Sequence, residues 1–204
     1  KHELFDLSAD KSQPKNFSEL CNRYEKELSQ LNKPIVGWAH SFGCDPLLAI
    51  ATKQPDLFSE IHLISPISNL QNGFVNLCFS LATKSNNPGF IEKVEKLRER
   101  YEPNELWDCV FAAAQEPAFA RSYFFTQENF DRWMKIQNEC PPMDAEYWAQ
   151  FLMEYLPVQN ENYSKMPKGP TKVYLGKHDP YLNESDIVFW QNQIGTEKTI
   201  VCEN

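Results

Sequence analysis

The sequence has no long apolar run and no basic stripe. No window approaches the roughly 18 consecutive apolar residues that a membrane-spanning helix needs, and no basic segment leads into an apolar one near the N-terminus. The chain has 20 Lys and Arg residues against 28 Asp and Glu residues, a net charge of −8, and its cations are too scattered to follow a phosphate backbone. We therefore predict a soluble protein that does not bind nucleic acid.

Cysteine pairs of the metal-binding or redox type are also missing. The sequence contains no C-x-x-C pair and no histidine at metal-ligand spacing from a cysteine. Its six cysteines are dispersed: Cys21, Cys44, Cys78, Cys109, Cys140 and Cys202. Dispersed thiols are typical of a reducing compartment, so we predict a cytoplasmic protein without a metal or a cofactor. An extracytoplasmic protein with one or two disulfides remains the alternative.

Short apolar strands alternate with amphipathic helices at both ends of the chain. The predicted strands are 3–7, 34–38, 61–64, 171–175 and 199–202. Asn16 is expected to cap the first helix, with Glu19 as its reciprocal capping-box partner, and another helix is predicted at 185–194. Alternation of this kind predicts a mostly parallel sheet with right-handed crossovers, and hence an α/β fold.

Residues 70–165 lack this alternation. Helices are predicted there after Pro88, Pro103, Thr126 and Asp144, since proline and short polar residues are favoured at helix starts. The pattern therefore predicts a sheet that is interrupted once by a helical insertion and completed afterwards. We predict a core formed by residues 1–69 and 166–204, with the insertion as a separate unit.

The segment Ala39-His40-Ser41-Phe42-Gly43 lies between a predicted strand and a predicted helix. It follows the pattern G-x-S-x-G, with alanine in place of the first glycine. Alanine is still small enough for a tight turn. A serine at an abrupt strand-to-helix turn is exposed above the sheet beside free backbone N–H groups, so Ser41 is a candidate nucleophile.

These residues resemble the α/β-hydrolase family, in particular members with a helical cap inserted after the strand that follows the nucleophile helix. The resemblance rests on the serine turn, the place of the insertion, and Gly176 to Asp179 at the end of a late strand. It implies Ser41 as nucleophile, Asp179 as the acid that orients a histidine, and the Phe42 N–H as an oxyanion donor. Residues 65–68, the family's alternative place for the acid, contain no carboxylate. A simple turn-capping role for Asp179 is the competing interpretation.

The base histidine is harder to assign. The sequence has four histidines, His2, His40, His62 and His178, and none follows a strand after Asp179. We expect His40 to pack beside the turn and His62 to be a satisfied residue of the sheet. The resemblance places the base on the loop after the last strand, just beyond Asn204, and likens strand 3–7 to the family's fourth. We therefore expect a chain truncated at both ends, completed by missing segments or a second chain.

The function implied by the resemblance is serine hydrolysis. The substrate would be a small ester, thioester or amide with an apolar or aromatic part, cleaved through an acyl-enzyme on Ser41. Two alternatives remain: a proline-iminopeptidase-like aminopeptidase and a non-catalytic binding protein of the same fold.

Five aromatic residues line a substrate pocket or form the insertion's own core: Phe124, Phe125, Trp133, Trp148 and Phe151. Four acidic residues bind a substrate amine or are simply solvated: Glu102, Glu105, Glu128 and Glu154.

Overall fold

Four parallel strands form one sheet in the order β1-β2-β3-β4. The strands are β1 (Ile35–His40), β2 (Phe58–Ile64), β3 (Thr171–Gly176) and β4 (Thr199–Cys202). This computed structural model describes residues 13–100, 102–116, 118–124, 126–139, 144–159, 166–167 and 169–203. The predicted α/β fold with a parallel sheet is confirmed, and the predicted strand at 3–7 lies outside the described residues.

Helices connect every pair of consecutive strands. Helix α1 (Phe17–Leu28) precedes β1, and α2 (Cys44–Lys53) connects β1 to β2. Among the residues that the structure describes, five helices lie between β2 and β3: α3 (Leu70–Lys84), α4 (Pro88–Glu99), α5 (Pro103–Gln115), α6 (Gln127–Glu139) and α7 (Ala145–Tyr155). Helix α8 (Glu184–Ile194) connects β3 to β4. Within the described ranges, no helix is long and apolar enough to cross a membrane.

Local capping chemistry sets the start of the first helix. The Asn16 side chain accepts a hydrogen bond from the Glu19 N–H at 2.9 Å, as predicted. The predicted reciprocal bond is wrong, because the Glu19 carboxylate accepts from the Lys15 N–H at 2.9 Å instead of the Asn16 N–H. Two neighbouring backbone donors compete for one carboxylate, and the sequence alone does not choose between them.

Helix α3 was not predicted as a separate element. The Asn69 side chain caps it by accepting from the Asn72 N–H at 2.9 Å. Its buried residues follow a helical repeat: Leu70, Gly73, Phe74, Leu77, Cys78, Leu81 and Ala82. Val75 and Phe79 lie outside this buried face and blur the apolar pattern.

The structure has two apolar cores. One lies between α1, α2 and α8 and a single face of the sheet, with Ile61, Leu63, Val173 and Leu175 pointing into it. The other is formed mainly by α3, α4, α5 and α7, around Leu77, Leu97 and Leu106. The helices between β2 and β3 therefore bury much of their apolar surface against one another.

A buried polar network joins these helices to α2. The Asp45 carboxylate is 2% exposed and accepts from the Tyr155 hydroxyl at 2.7 Å and from the Gln159 amide at 3.1 Å. The same amide donates to the Ile67 carbonyl at 3.0 Å, and its oxygen accepts from the Leu70 N–H. We call these groups the Asp45 network. It fixes the end of α7 and the start of α3 to the helix that follows Ser41.

The described cysteines are free thiols. Cys21, Cys44, Cys78 and Cys109 are buried and Cys202 is exposed, whereas Cys140 lies outside the described residues. Burial raises the pKa of Cys21 and of Cys78 to about 12. Both thiols are therefore protonated at neutral pH and poor nucleophiles.

Replacement of Tyr155 by phenylalanine tests the Asp45 network. The change removes one donor from a buried carboxylate, and a hydrogen bond to a charged group is worth about 1.5–3 kcal/mol. We expect Tyr155→Phe to lower the free energy of unfolding in urea by that amount. Tyr147→Phe is the matched control, because its hydroxyl donates to the Pro14 carbonyl in a partly buried place, and it should cost clearly less. Equal losses for the two variants would contradict a special role for the network.

Candidate active site

The chain turns abruptly from β1 into a helix at Ser41. Ser41 has a φ of +53°, in the left-handed region that costs an L-residue about 1–2 kcal/mol. It begins a short 3-10 turn, Ser41–Gly43, which continues directly into α2. The strained backbone lifts Ser41 out of the strand at the carboxyl edge of the sheet, the conformation that a nucleophile turn requires.

The next residue, Phe42, is anchored by aromatic contacts. Its ring meets four others edge-on, at centroid distances of 5.3 to 6.3 Å: Phe17, Trp148, Phe151 and Tyr155. Such edge-to-face pairs are favourable because the positive ring edge meets the negative face. The backbone N–H of Phe42 belongs to the first turn of a helix, where N–H groups have no partner within the helix. Its position therefore suits the predicted oxyanion donor.

Asp179 lies on the loop after β3, two strands away from Ser41 in the sheet. Its carboxylate accepts from the Tyr181 N–H at 3.0 Å. Burial raises the pKa of Asp179, and this effect outweighs the hydrogen bonding and the charge of His40, which lower it. The carboxyl is thus partly desolvated but bonded within its own loop, as a group that must orient an imidazole needs to be.

His40 is the last residue of β1 and directly precedes Ser41. Burial lowers the pKa of its imidazole, while the charge of Asp179 acts in the opposite direction. The structure therefore places His40 and Asp179 within electrostatic reach of each other at the same sheet edge. The sequence analysis assigned His40 a packing role and did not foresee this electrostatic interaction.

The other histidines have different surroundings. His62 is 6% exposed, its Nδ1 lies 3.1 Å from the Tyr174 hydroxyl and its Nε2 lies 3.5 Å from Glu60. Its ring stacks on Trp38 at a centroid distance of 3.8 Å, so it is a satisfied residue of the sheet. His178 is exposed and acts electrostatically on Glu203, and His2 lies outside the described residues.

Two tyrosines connect the helical segment to the Asp179 loop. The hydroxyls of Tyr123 and Tyr181 lie 2.6 Å apart, and burial raises the pKa of both. The Tyr181 carbonyl accepts from the Asn76 side chain at 3.1 Å. A Cβ on Gly73 would lie 2.8 Å from Ile67 and 3.4 Å from Tyr181, so only glycine lets α3 approach so closely.

The aromatic residues named from the sequence fall into two groups. Trp148 and Phe151 contact Phe42, and Phe151 is also part of the helical core. Phe124 and Trp133 pack against Phe130 in a separate cluster, and Phe125 lies outside the described residues. Only the first group therefore adjoins the Ser41 turn through a described ring contact.

The acidic residues named from the sequence face outward. Glu105, Glu128 and Glu154 are exposed, and Glu102 pairs with Arg100 at 2.9 Å. Their surroundings are those of a solvated helix surface, where an ion pair contributes little.

A cavity of about 570 Å³ lies elsewhere, at the α3–α4 connection and the end of α5. Its lining contains none of the predicted site residues: Ser85, Asn86, Asn87, Ala112, Gln115 and Glu116. The Glu116 carboxylate is already bonded by the Ser85 and Asn87 side chains at 3.1 Å each. Among the described residues, no cluster of three or more His, Cys, Asp or Glu side chains could hold a metal ion. We therefore place the candidate site at the sheet edge around Ser41 and not in this cavity.

The sequence analysis did not identify Ser65 as a residue of this sheet edge. It follows β2 with a φ of +47°, and its N–H donates to the Tyr174 carbonyl at 2.8 Å. The sequence marked its segment only as lacking a carboxylate. The available signal was its place directly after a buried strand, since the ends of adjacent parallel strands converge at one edge.

Glycine at position 41 should relieve the backbone strain. Relative to Ser41→Ala, we expect Ser41→Gly to raise the free energy of unfolding by about 1 kcal/mol, because glycine adopts positive φ without a steric penalty. Urea denaturation measures the difference. The same two substitutions at Ser59, an exposed strand position, serve as the control. There the Gly variant should be less stable than the Ala variant. A Gly variant at position 41 no more stable than the Ala variant would argue against the strained turn.

Neutralising Asp179 should stabilise the protein. Because burial raises the pKa of Asp179 above its unfolded value, the folded state binds more protons between these two pKa values, and stability falls as pH rises through that window. Asp179→Asn should therefore have the higher Tm at neutral pH, with the difference disappearing at pH values below the ordinary carboxyl range. Thermal unfolding as a function of pH measures this, with the exposed Asp56→Asn as control. A lower Tm for Asp179→Asn at neutral pH would contradict the assignment.

Comparison with known proteins identifies the fold and no closer relationship. No protein-family model matches the sequence, and no curated protein matches it at a significant level. A lipase in an open form is similar in structure, with 16% identity and a TM-score of 0.52 over 91% of this chain. The chain spans 60% of the length of that lipase.

Two further solved structures are more distant. An epoxide hydrolase from Bacillus megaterium has 10% identity and a TM-score of 0.46, covering 95% of this chain and 70% of its own. A haloalkane dehalogenase loop variant from Bradyrhizobium elkanii has 10% identity and a TM-score of 0.44, covering 95% of this chain and 67% of its own. The strand order, the serine turn and the likeness to the lipase lead to one conclusion: this chain has the α/β-hydrolase fold.

Proposed function

We propose that this chain carries the nucleophile and the acid of a serine hydrolase. The observation that carries the proposal is the left-handed backbone of Ser41 at the strand-to-helix turn. Strain of this kind persists only where the surrounding structure enforces it, and it clusters at active sites. Ser41 is the nucleophile, Asp179 is the acid and the Phe42 N–H is one oxyanion donor.

The chemistry follows from these positions. The Ser41 Oγ attacks the substrate carbonyl carbon, its proton passes to an imidazole, and the carbonyl oxygen becomes an oxyanion that accepts from the Phe42 N–H. Collapse of this intermediate breaks the bond to the leaving group, which takes the proton from the imidazolium. Water then attacks the acyl-enzyme in the same way and restores the serine. Loss of one oxyanion donor of this kind typically lowers the rate by about 100- to 1,000-fold.

The imidazole is proposed to come from the loop after β4. Strand β4 pairs with β3, with Gly176 beside Cys202, so the residues that follow these two strands lie next to each other. Asp179 follows β3 by three residues and would orient such a histidine by accepting its N–H. His40 interacts electrostatically with Asp179 and is the histidine to test against this assignment.

The surroundings of the turn favour an apolar acyl group. Trp148 and Phe151 meet Phe42 at the turn, and aromatic rings near a reactive group commonly bind the apolar part of a ligand. The acidic residues that an aminopeptidase would need for its substrate amine are exposed or paired with arginine. We therefore propose a small ester or thioester as substrate, ahead of an N-terminal amide.

The test uses the product of the full gene. Ser41→Ala should abolish labelling by a fluorophosphonate and lower the hydrolysis of p-nitrophenyl butyrate by at least about 1,000-fold, since the nucleophile itself is removed. Ser59→Ala, which removes an exposed hydroxyl from β2, is the control and should keep both properties. Hydrolysis of p-nitrophenyl butyrate should also exceed that of prolyl-naphthylamide.

Three results would revise the proposal. Labelling that survives in Ser41→Ala would exclude Ser41 as nucleophile. Loss of labelling in His40→Gln, measured alongside, would make His40 the base and remove the need for a histidine after β4. An unmodified protein that binds an ester without turning it over would support a non-catalytic binding protein instead.

A further inference from the structure

The backbone of Tyr181 holds the carboxylate of Asp179. The Tyr181 N–H donates to the Asp179 Oδ1 at 3.0 Å. Two backbone bonds close the loop on itself: the Asp179 N–H donates to the Gly176 carbonyl, and the Leu182 N–H donates to the Asp179 carbonyl, each at 3.1 Å. All of these bonds are local. They fix the carboxylate relative to its own loop, whereas the place of the loop depends on contacts with the rest of the protein.

The helical segment contacts Tyr181 at its carbonyl, its hydroxyl and its ring. The Asn76 amide of α3 donates to the Tyr181 carbonyl at 3.1 Å. The Tyr123 hydroxyl, at the end of the short 3-10 turn Ala120–Tyr123, lies 2.6 Å from the Tyr181 hydroxyl. The ring of Phe74 meets the Tyr181 ring edge-on at a centroid distance of 5.8 Å. We call Asn76, Tyr123 and Tyr181 the Tyr181 clamp.

The two hydrogen bonds of the clamp give direction to this contact. Apolar attraction between rings is non-directional and tolerates sliding. The bonds to the carbonyl and to the hydroxyl act at opposite ends of Tyr181, so together they oppose both its displacement and its rotation.

A stiff link connects Tyr181 to Asp179. Pro180 lies between them, and its ring locks φ at about −65°. The residue before a proline is restricted in its backbone conformation as well. A shift of Tyr181 is therefore transmitted to Asp179 and not absorbed between the two residues.

We propose that Asn76 and Tyr123 are positioning residues, which clamp Tyr181 and thereby hold the Asp179 carboxylate in the direction that its imidazole partner needs. This inference rests on the proposed function of Asp179 as the catalytic acid. An acid of this kind acts by fixing the orientation of the histidine, so freedom of the carboxylate lowers the rate. The helical segment thus acts on the reaction through the orientation of the acid.

Small changes to the clamp test the proposal in the full gene product. Tyr123→Phe and Tyr181→Phe each remove one hydroxyl and keep the ring, and Asn76→Leu removes the amide donor at similar size. We expect each variant to lower kcat for p-nitrophenyl butyrate by about 2- to 10-fold with KM unchanged, as for loss of a hydrogen bond between neutral groups. The double variant Tyr123→Phe/Tyr181→Phe should be no slower than either single variant, because both changes remove the same bond.

Hydrogen exchange measures the clamp without any turnover. The amide of residue 181 should exchange about 2- to 10-fold faster in the three single variants, because its bond to Asp179 opens more often when the clamp is loosened. Tyr174→Phe is the matched control: its hydroxyl lies 3.1 Å from the His62 Nδ1, and Tyr174 belongs to β3, the strand that leads into the Asp179 loop. This variant should leave kcat and the exchange rate of residue 181 unchanged.

The outcomes separate this proposal from the proposed function. Exchange of residue 181 at the unmodified rate in all three clamp variants would overturn the proposal, whatever the activity. A raised KM with kcat unchanged would also overturn it, because the altered groups would then bind substrate and not position the acid. Losses that add up in the double variant would overturn the role of Tyr123. An unmodified protein without hydrolase activity, in which the variants still exchange faster, would refute the proposed function while showing that the clamp holds the Asp179 loop.

Discussion

The buried carboxylate of Asp45 determines where the helical segment sits. A charge this far from water is tolerated only when it is hydrogen-bonded, and two of its donors come from the far end of the helical segment, Tyr155 and Gln159. Asp45 also lies in the first turn of α2, where the helix dipole favours a negative charge. Any movement of α7 away from α2 would take these two donors from a buried carboxyl group, and such a change is unfavourable. The segment is therefore fixed at the helix that follows Ser41.

The helical segment is held both by hydrogen bonds of fixed direction and by buried apolar surface. The apolar rings around Phe42 supply buried surface, but apolar contacts alone tolerate sliding. The bonds to Asp45 have fixed lengths and directions, so they set the register in which Trp148 and Phe151 meet the turn. Because the ring of Phe42 is held in this way, its backbone N–H is held as well. The packing of the helical segment and the geometry of the proposed oxyanion donor thus share one residue.

Most of the sheet could be predicted because its signals are local. The strand at 199–202 was placed correctly, and the helix after Pro88 begins at that proline. The strain at Ser41 follows from the motif that surrounds it. Gly43, in contrast, has a φ of −60°, and a Cβ there would meet no described atom within 4 Å. This glycine of the motif is therefore not explained by contacts within the described protein.

The polar contacts of the site could not be predicted because their partners are distant in sequence. Tyr155 and Asp45 are 110 residues apart, and Tyr123 and Tyr181 are 58 residues apart. Hydrogen-bond donors and acceptors are common along any chain, so the sequence does not indicate which of them meet. Chain order did place Asp179 near the edge, because parallel strands end on the same side. It could not show that His40 would lie within electrostatic reach of the carboxylate.

Three locally unfavourable features meet at this edge, which is the strongest argument that it has a function. Ser41 and Ser65 have backbone conformations that glycine would adopt without penalty, and burial works against the charge on Asp179. For stability alone, glycine at both serine positions and an uncharged residue at position 179 would serve better. The two apolar cores can support this loss, because they do not include these three side chains. Strain concentrated at one place in an otherwise well-packed fold is what a preorganised catalytic site requires.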